Sequence, residues 1–124
     1  MDTHTLLWML SSPGQLSPRA RRTVESARTT LCVSIASAWE VAIKVGRGSL
    51  RLDVTLAELF STHLARARVD LLDIKLSHTL EVAALPPVHR DPFDRLLVAA
   101  ASLEGLPIIS ADATFDAYGI ERIW

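Results

Sequence analysis

The sequence predicts an α/β fold in which helices cover both faces of a central parallel sheet. Short runs of aliphatic residues alternate with longer segments that carry helical capping signals. These runs are apolar throughout, as expected of strands that are buried on both faces. The chain has 124 residues, of which 49% are hydrophobic, so we expect a single domain over residues 1–124.

Three elements are expected before residue 35. The apolar stretch at 5–10 belongs to the first helix, and the Ser-Ser-Pro-Gly breaker at 11–14 ends it. Ser17 is a typical N-cap and Pro18 a typical first helical residue, so a basic helix begins there and continues to about residue 27. Residues 30–34 are short and apolar, which predicts a buried strand.

The middle of the chain is predicted to continue this alternation. Ser34 caps a helix over 35–45, which ends at the glycines that follow. Thr55 caps a further helix over 56–67. Residues 69–74 then form a second strand.

The last third adds two helices before the final strands. Ser77 is expected to cap a short helix that ends before Pro86. Asp91 and the proline after it open a longer helix, which Gly105 closes. The remaining predicted elements are a strand at 107–110, a helical turn at 112–118 and a last strand at 120–124.

Composition excludes several classes of protein. No run of about 18 apolar residues is present, so we expect no membrane span. Cys32 is the only cysteine, which excludes an internal disulfide framework and a cysteine-based zinc site and indicates the cytoplasm. Basic side chains dominate residues 17–51 and acidic ones residues 90–124. This separation suits a metal-dependent enzyme acting on polyanions, but charge alone favours an ordinary mixed surface.

Four carboxylates occur where a parallel sheet places its ligand site. Asp112 follows a predicted strand and Asp2 precedes the first helix. Glu40 lies about one turn into its helix, and Asp94 lies in the first turn of another. Since ligands bind outside the carboxyl ends of parallel strands, these groups are expected to converge. Clustered carboxylates favour Mg²⁺ or Mn²⁺, which indicates phosphoryl-transfer chemistry.

Each acid also has a purely structural explanation. A carboxylate can cap a helix, interact with its dipole, form a surface ion pair or lie on a frayed terminus. Glu40 is the exception, because its helix is largely apolar and a buried carboxylate needs a partner. The structural alternatives are a cap for Asp91 and Asp112, a dipole interaction for Asp94, an ion pair with Lys44 for Glu40 and a frayed end for Asp2.

Several segments together resemble a known family. They are Asp2-Thr3-His4-Thr5-Leu6-Leu7-Trp8, Ser34-Ile35-Ala36-Ser37-Ala38-Trp39-Glu40-Val41-Ala42-Ile43-Lys44, Gly48-Ser49-Leu50, His89-Arg90-Asp91-Pro92-Phe93-Asp94-Arg95-Leu96-Leu97-Val98-Ala99-Ala100 and Ile109-Ser110-Ala111-Asp112. In this order and spacing, the chain resembles the PIN-domain endoribonucleases of the VapC type, which are toxins of type II toxin–antitoxin pairs.

The resemblance implies a PIN-like α/β/α sandwich that cuts RNA with Mg²⁺ or Mn²⁺ and pairs with an antitoxin, as a homodimer. By position, Asp2, Glu40, Asp94 and Asp112 correspond to the catalytic acids. Asp2, Asp94 and Asp112 would bind the metal, and Glu40 would bind it or orient the attacking water. Further candidates near the metal are Asp116, Ser110 and Asp91, and candidates for contacts with the RNA backbone are Arg19, Arg22 and Lys44.

One departure from the family pattern concerns the beginning of the chain. Family members usually carry an apolar strand before the first aspartate, whereas only Met1 precedes Asp2 here. The first strand is therefore expected to be truncated and Asp2 poorly fixed. Among the remaining residues, Trp8 and Trp39 are expected in the core, with a homodimer or partner groove as the alternative. His4 is expected to be a hydrogen-bonded packing residue, and the resemblance gives His89 no catalytic role.

Two other functions remain open from the sequence. A non-catalytic PIN-like module could bind protein or RNA through the same surface, with its acids only stabilising helix ends. A small-molecule phosphohydrolase would want a second aspartate two residues after Asp2, and His4 stands there instead.

Overall fold

Four short parallel strands form the centre of the computed structural model, which describes residues 1–124. Strand β1 (Leu31–Ser34) pairs with β2 (Val69–Leu72), with Leu31 opposite Val69. Strand β3 (Ile108–Ile109) pairs with β4 (Arg122–Ile123). The predicted α/β class with a parallel sheet is confirmed.

The first two residues link the two strand pairs. The ammonium group of Met1 donates to the carbonyl of Cys32 in β1 at 2.9 Å. The backbone N–H of Asp2 donates to the carbonyl of Ile109 in β3 at 3.1 Å. The order across the centre is therefore β2, β1, residues 1–2, β3 and β4. No strand is assigned to residues 1–2, which occupy the place where a first strand was expected.

Seven α-helical segments surround this centre. They are α1 (Thr3–Ser11), α2 (Pro18–Glu25), α3 (Ile35–Gly46), α4 (Leu56–Glu58), α5 (Leu64–Arg66), α6 (Leu76–Glu81) and α7 (Pro92–Glu104). A π-helical turn (Leu59–His63) joins α4 to α5, and 3₁₀ helices cover Pro13–Gln15 and Ala113–Tyr118. No helix is long and apolar enough to cross a membrane.

The helix starts follow the capping residues that the sequence contains. The Ser17 hydroxyl accepts from the N–H of Ala20 at 3.1 Å, and Ser34 caps α3 in the same way. Thr55 and Glu58 form a reciprocal capping box before α4. Gly105 ends α7 with a φ of 64°, in the left-handed region that favours glycine.

One expected cap is wrong. Helix α6 begins at Leu76 with Lys75 as its N-cap, so Ser77 lies inside the first turn. The reason is the ring of His78, whose Nδ1 accepts the N–H of Lys75 at 3.3 Å and so satisfies the free donor at the helix start.

The core has one apolar cluster on each face of the strands. Neighbouring residues of β3 point to opposite faces, so Ile109 packs in the first cluster and Ile108 in the second. The first cluster joins α1, α2, β1, α5 and β2, and the second joins α7 to the 3₁₀ helix with Phe115. This arrangement corresponds to the predicted α/β/α layers.

Candidate functional site

The carboxylate of Asp2 is buried and held from two sides. It is the N-cap of α1, and its Oδ1 accepts from the N–H of Thr5 at 2.7 Å. Its Oδ2 accepts from the hydroxyl of Ser110, directly after β3. Only 6% of Asp2 is exposed. The expectation that this residue would be frayed or poorly fixed is therefore wrong, because the link between the strand pairs and the Ser110 hydroxyl both anchor it.

Ser110 connects two of the four acids. While its hydroxyl donates to Asp2, the same oxygen accepts from the backbone N–H of Asp112 at 3.0 Å. Asp112 caps the 3₁₀ helix, and its Oδ1 accepts from the N–H of Thr114 at 2.8 Å. Asp2 and Asp112 also line one open cleft of about 400 Å³, together with His4, Trp8 and Ala111. The two carboxylates therefore belong to the same surface depression.

Glu40 is buried on α3 and has two partners. Its Oε2 accepts from the hydroxyl of Thr3 at 2.5 Å, and its Oε1 lies 2.6 Å from the Nζ of Lys44. The helical spacing of Glu40 and Lys44 thus forms the ion pair that the sequence allowed, although 8% exposure of Glu40 makes this more than a surface pair. Because Thr3 directly follows Asp2 in the chain, this hydrogen bond joins Glu40 to the segment that carries Asp2.

Asp94 differs from the other three acids because its carboxylate has no hydrogen bond or ion pair. It lies half-buried in the first turn of α7. Burial and the charge of Asp91 raise the pKa of Asp94 to about 6. Glu40 and Asp2 act in the same direction, which means that their carboxylates lie near enough to repel that of Asp94.

Glu40 and Asp2 lie within electrostatic range of Asp94, and Asp2 shares a cleft with Asp112, yet these side chains do not form a complete ligand set. No group of three His, Cys, Asp or Glu side chains is placed to hold a metal ion. The donors are nevertheless hard oxygen atoms, which suit Mg²⁺ or Mn²⁺. Burial is the largest cause of the raised pKa of Asp94, and the neighbouring carboxylates add to it.

His89 contacts the carboxylate of Asp112. Its Nε2 lies 3.2 Å from Oδ2 of Asp112, and its ring packs against Phe115 and Tyr118. Partial burial raises the pKa of Asp112, but the hydrogen bonds from Thr114 and His89 outweigh it, so the pKa lies below its ordinary value.

The further candidates lie in different environments. Asp91 caps α7 by accepting from the N–H of Phe93 at 2.8 Å, as the sequence indicated. Asp116 forms a two-bond ion pair with Arg122, at 2.7 and 2.9 Å, and has no hydrogen bond to the four acids. Arg122 also donates to the carbonyl of Ser110 at 3.2 Å, so it links Asp116 to the end of β3.

The three cationic side chains proposed to contact RNA differ in whether a carboxylate already pairs with them. Arg19 lies 3.2 Å from Glu121, and Lys44 is paired with Glu40. Arg22 is exposed and forms no ion pair. Of the three, only Arg22 has an unengaged charge.

Two sequence expectations for aromatic residues are wrong. Trp39 is 58% exposed instead of being in the core, and it packs edge-on against Phe93 at 5.2 Å between ring centres. His4 is exposed without a hydrogen bond and lies against Trp8 at 6.0 Å. Helical spacing could not settle the case of Trp39, because α3 has apolar residues on more than one side.

Three residues contribute to the site in ways that could not be predicted from the sequence. Thr3 and Arg122 act through partners that are distant in sequence. Arg95 donates to the carbonyls of Val82, Leu85 and Pro86 at 2.7 to 3.0 Å, which fixes the preceding segment to the start of α7. The only sequence feature that pointed to Arg95 was its position next to Asp94.

Comparison with known proteins adds one positive finding. A family model described as PIN domain matches residues 1–121. No curated protein sequence matches the chain. The PIN domain is generally a nuclease fold, and PIN domains are typically metal-dependent.

Proposed function

The chain belongs to the PIN domain family, and from this premise we propose that it is an endoribonuclease that cleaves RNA phosphodiester bonds with Mg²⁺ or Mn²⁺. The observation that carries the proposal is the half-buried Asp94, whose unpaired carboxylate lies within electrostatic reach of Asp2 and Glu40. A carboxylate kept there without a partner costs stability, which a structural role alone does not explain.

The proposed roles follow from what each carboxylate already binds. Asp2 and Asp112 are held in place by Ser110 and by their capping bonds, and Asp94 is free to bind a ligand. These three would hold the metal directly or through water. A divalent cation there would neutralise the carboxylates and polarise the scissile phosphate.

Glu40 is the group proposed to orient the attacking water, or to be a fourth ligand. Thr3 and Lys44 occupy one lone pair on each of its oxygens, so each oxygen keeps a second lone pair to accept from water. The same two partners restrict the rotation of the Glu40 side chain, which would hold the water at a fixed place.

The substrate is proposed to reach the acids through the open cleft beside Asp2 and Asp112. RNA that crosses this cleft needs cationic contacts for its backbone. Arg22 has a free charge for that purpose, whereas Arg19 and Lys44 would first have to leave their carboxylate partners. We therefore rank Arg22 first among the three.

The wider role is proposed to be that of a VapC-type toxin in the cytoplasm, as one domain over residues 1–124. The motifs in family order support this subtype, and such a toxin has an antitoxin partner and forms a homodimer. Trp39, Leu76 and Leu80 are 58 to 74% exposed, which is the kind of apolar surface that protein partners cover. Induced expression should arrest growth, and the Asp94→Asn variant should not.

A second candidate function is a PIN-like module that binds RNA or protein without cutting. The observation that favours it is that no three acidic or histidine side chains are placed to hold a metal. Capping bonds for Asp2 and Asp112 also agree with structural roles.

Cleavage of a mixed RNA pool by the purified protein separates these two functions. We expect fragments with Mn²⁺ or Mg²⁺, none with chelator, and none from Asp94→Asn, while Ser102→Ala on the exposed side of α7 cleaves like the wild type. RNA binding without cleavage by a folded wild-type protein would favour the second candidate. Cleavage that survives in Asp94→Asn would contradict the assignment of the acids.

A further inference from the structure

His89 is a buried histidine that the proposed roles leave unused. Only 9% of it is exposed, and its ring stacks on Tyr118 at 5.4 Å with an angle of 4° between the planes. Phe115 covers another side, at 4.6 Å between ring centres. Packing of this kind explains why the ring is buried, but it leaves open why both ring nitrogens are aimed at polar atoms.

The polar contacts of His89 form a directional chain. The backbone N–H of His89 donates to the hydroxyl oxygen of Tyr118 at 2.8 Å, and that hydroxyl lies 3.1 Å from Nδ1 of the ring. On the far side, Nε2 lies 3.2 Å from Oδ2 of Asp112. An ionised carboxylate can only accept, so Nε2 must carry a hydrogen. In the neutral ring Nδ1 is then the acceptor, and the Tyr118 hydroxyl supplies its hydrogen.

We infer that His89 is a positioning residue for the proposed metal site: the Tyr118 hydroxyl holds its ring through Nδ1, and its Nε2–H fixes the carboxylate of Asp112. The inference rests on the proposed function, since Asp112 needs a fixed orientation only if it binds a cation. Thr114 holds Oδ1 and His89 holds Oδ2, so both oxygens are oriented before any ligand arrives. Groups that orient ligands in this way typically contribute about 10–100-fold to metal affinity.

His78 provides a matched control within the same chain. It is also buried, at 1% exposure, and its Nε2 lies 2.9 Å from Oε1 of Glu104. Its Nδ1 likewise accepts a hydrogen, from the N–H of Lys75. The two histidines thus have the same kind of contacts, but the carboxylate bound by His78 is remote from the four acids.

The test measures binding of Mn²⁺ alone to the full chain by calorimetry, with thermal melting as the check on folding. His89→Phe keeps an aromatic ring but loses the donor, and we expect it to weaken Mn²⁺ binding by about 10–100-fold. His89→Gln can place an amide N–H near Asp112 and should recover most of the affinity. His78→Phe should lose stability to a similar degree and bind Mn²⁺ like the wild type.

Tyr118→Phe gives a readout that does not depend on metal. It keeps the stacked ring and removes the hydroxyl that donates to Nδ1, so the ¹⁵N resonance of the unprotonated Nδ1 of His89 should shift while hydrogen stays on Nε2. If the Nδ1 resonance does not shift in Tyr118→Phe, the chain of donors is wrong.

The outcomes separate the inference from the function on which it rests. A wild-type protein that does not bind Mn²⁺ contradicts the proposed function itself. A wild-type protein that binds Mn²⁺, with folded His89→Phe binding equally well, contradicts only the role of His89. If His89→Phe does not fold, the other two variants test the role of His89. Weaker Mn²⁺ binding by Tyr118→Phe, together with nearly wild-type Mn²⁺ binding by His89→Gln, is expected only if His89 orients Asp112.

Discussion

The hydroxyl of Ser110 donates to the carboxylate of Asp2, a residue 108 positions away in the sequence. Through the same oxygen Ser110 accepts from the backbone of Asp112, so one small side chain sets the distance between two acids at the edge of the strands. Because Ser110 is fully buried, water cannot replace either bond.

Removing this hydroxyl should destabilise the protein. Ser110→Ala leaves a buried carboxylate oxygen and a partly buried N–H without partners, which costs about 1–3 kcal/mol of unfolding free energy. Urea denaturation measures it, with the exposed Ser102→Ala as the control within about 0.5 kcal/mol of the wild type. Equal stability of Ser110→Ala and wild type would mean that Asp2 is held in another way.

The raised pKa of Asp94 predicts a stability that falls with rising pH. The native state binds the proton more tightly than the unfolded state, whose pKa is near 3.8, so the wild type loses stability as pH rises from about 4 to about 6. Asp94→Asn has no charge there. In metal-free buffer it should gain about 1 kcal/mol over the wild type above pH 6, a value reduced because Asp94 is half-exposed.

Denaturation of both proteins between pH 3.5 and 7.5 checks this directly. Below about pH 4 the difference between Asp94→Asn and wild type should vanish, since Asp94 is then protonated in both states. A difference that stays constant over the whole range would show that burial and the neighbouring carboxylates do not raise the pKa of Asp94.

Divalent cations should make the wild type more stable than Asp94→Asn. Mn²⁺ binds the native state only, so at 100 times its dissociation constant it should stabilise the wild type by about 2.7 kcal/mol. Asp94→Asn should gain little. At pH 5 the wild type should gain less than at pH 7.5, because the proton competes for Asp94. Melting temperatures with and without Mn²⁺ measure the effect, and equal gains for both proteins would exclude Asp94 as a ligand.

Thr3 and Glu40 should show coupled energies. Thr3→Val removes the donor to a buried carboxylate, and Glu40→Gln removes its charge. A double-mutant cycle should give an interaction of about 0.5–3 kcal/mol. The exposed Thr79, whose hydroxyl donates to the carbonyl of Leu76, is the matched control: Thr79→Val combined with Glu40→Gln should be additive. Additivity for Thr3 as well would mean that its bond to Glu40 does not form in solution.

The unpaired charge of Arg22 should contribute to the affinity for RNA. Arg22→Gln should weaken binding of a single-stranded RNA and lower the slope of log affinity against log salt by about 0.7, the value for one phosphate contact on a single strand. Arg19→Gln should change the slope less, because Glu121 already neutralises Arg19. Titrations at several salt concentrations test this, and identical slopes for all three proteins would place the RNA elsewhere.

Local signals made much of the fold predictable. Ser17, Ser34, Asp91 and Gly105 act within a few residues, and all four mark helix ends as expected. The alternation of strands and helices was visible for the same reason. The π-helical turn in 56–66 was not, since nothing in its residues distinguishes it from an α-helix.

The four acids of the candidate site were proposed from the sequence, whereas their partners could not be. Asp2, Glu40, Asp94 and Asp112 were proposed from the rule for parallel sheets and from family resemblance. The hydroxyls of Thr3 and Ser110 and the ring of His89 reach these acids only through tertiary packing. Trp39 shows the same limit, because which side of α3 faces solvent depends on how α6 and α7 pack.

These carboxylates are proposed to form one divalent cation site, and Mn²⁺ can be located in crystals by its anomalous scattering. We predict a peak bounded by Asp2, Asp94 and Asp112, and no peak there in crystals of Asp94→Asn. Crystals soaked at saturating Mn²⁺ that show no peak among the four acids, or one that persists in Asp94→Asn, would contradict it.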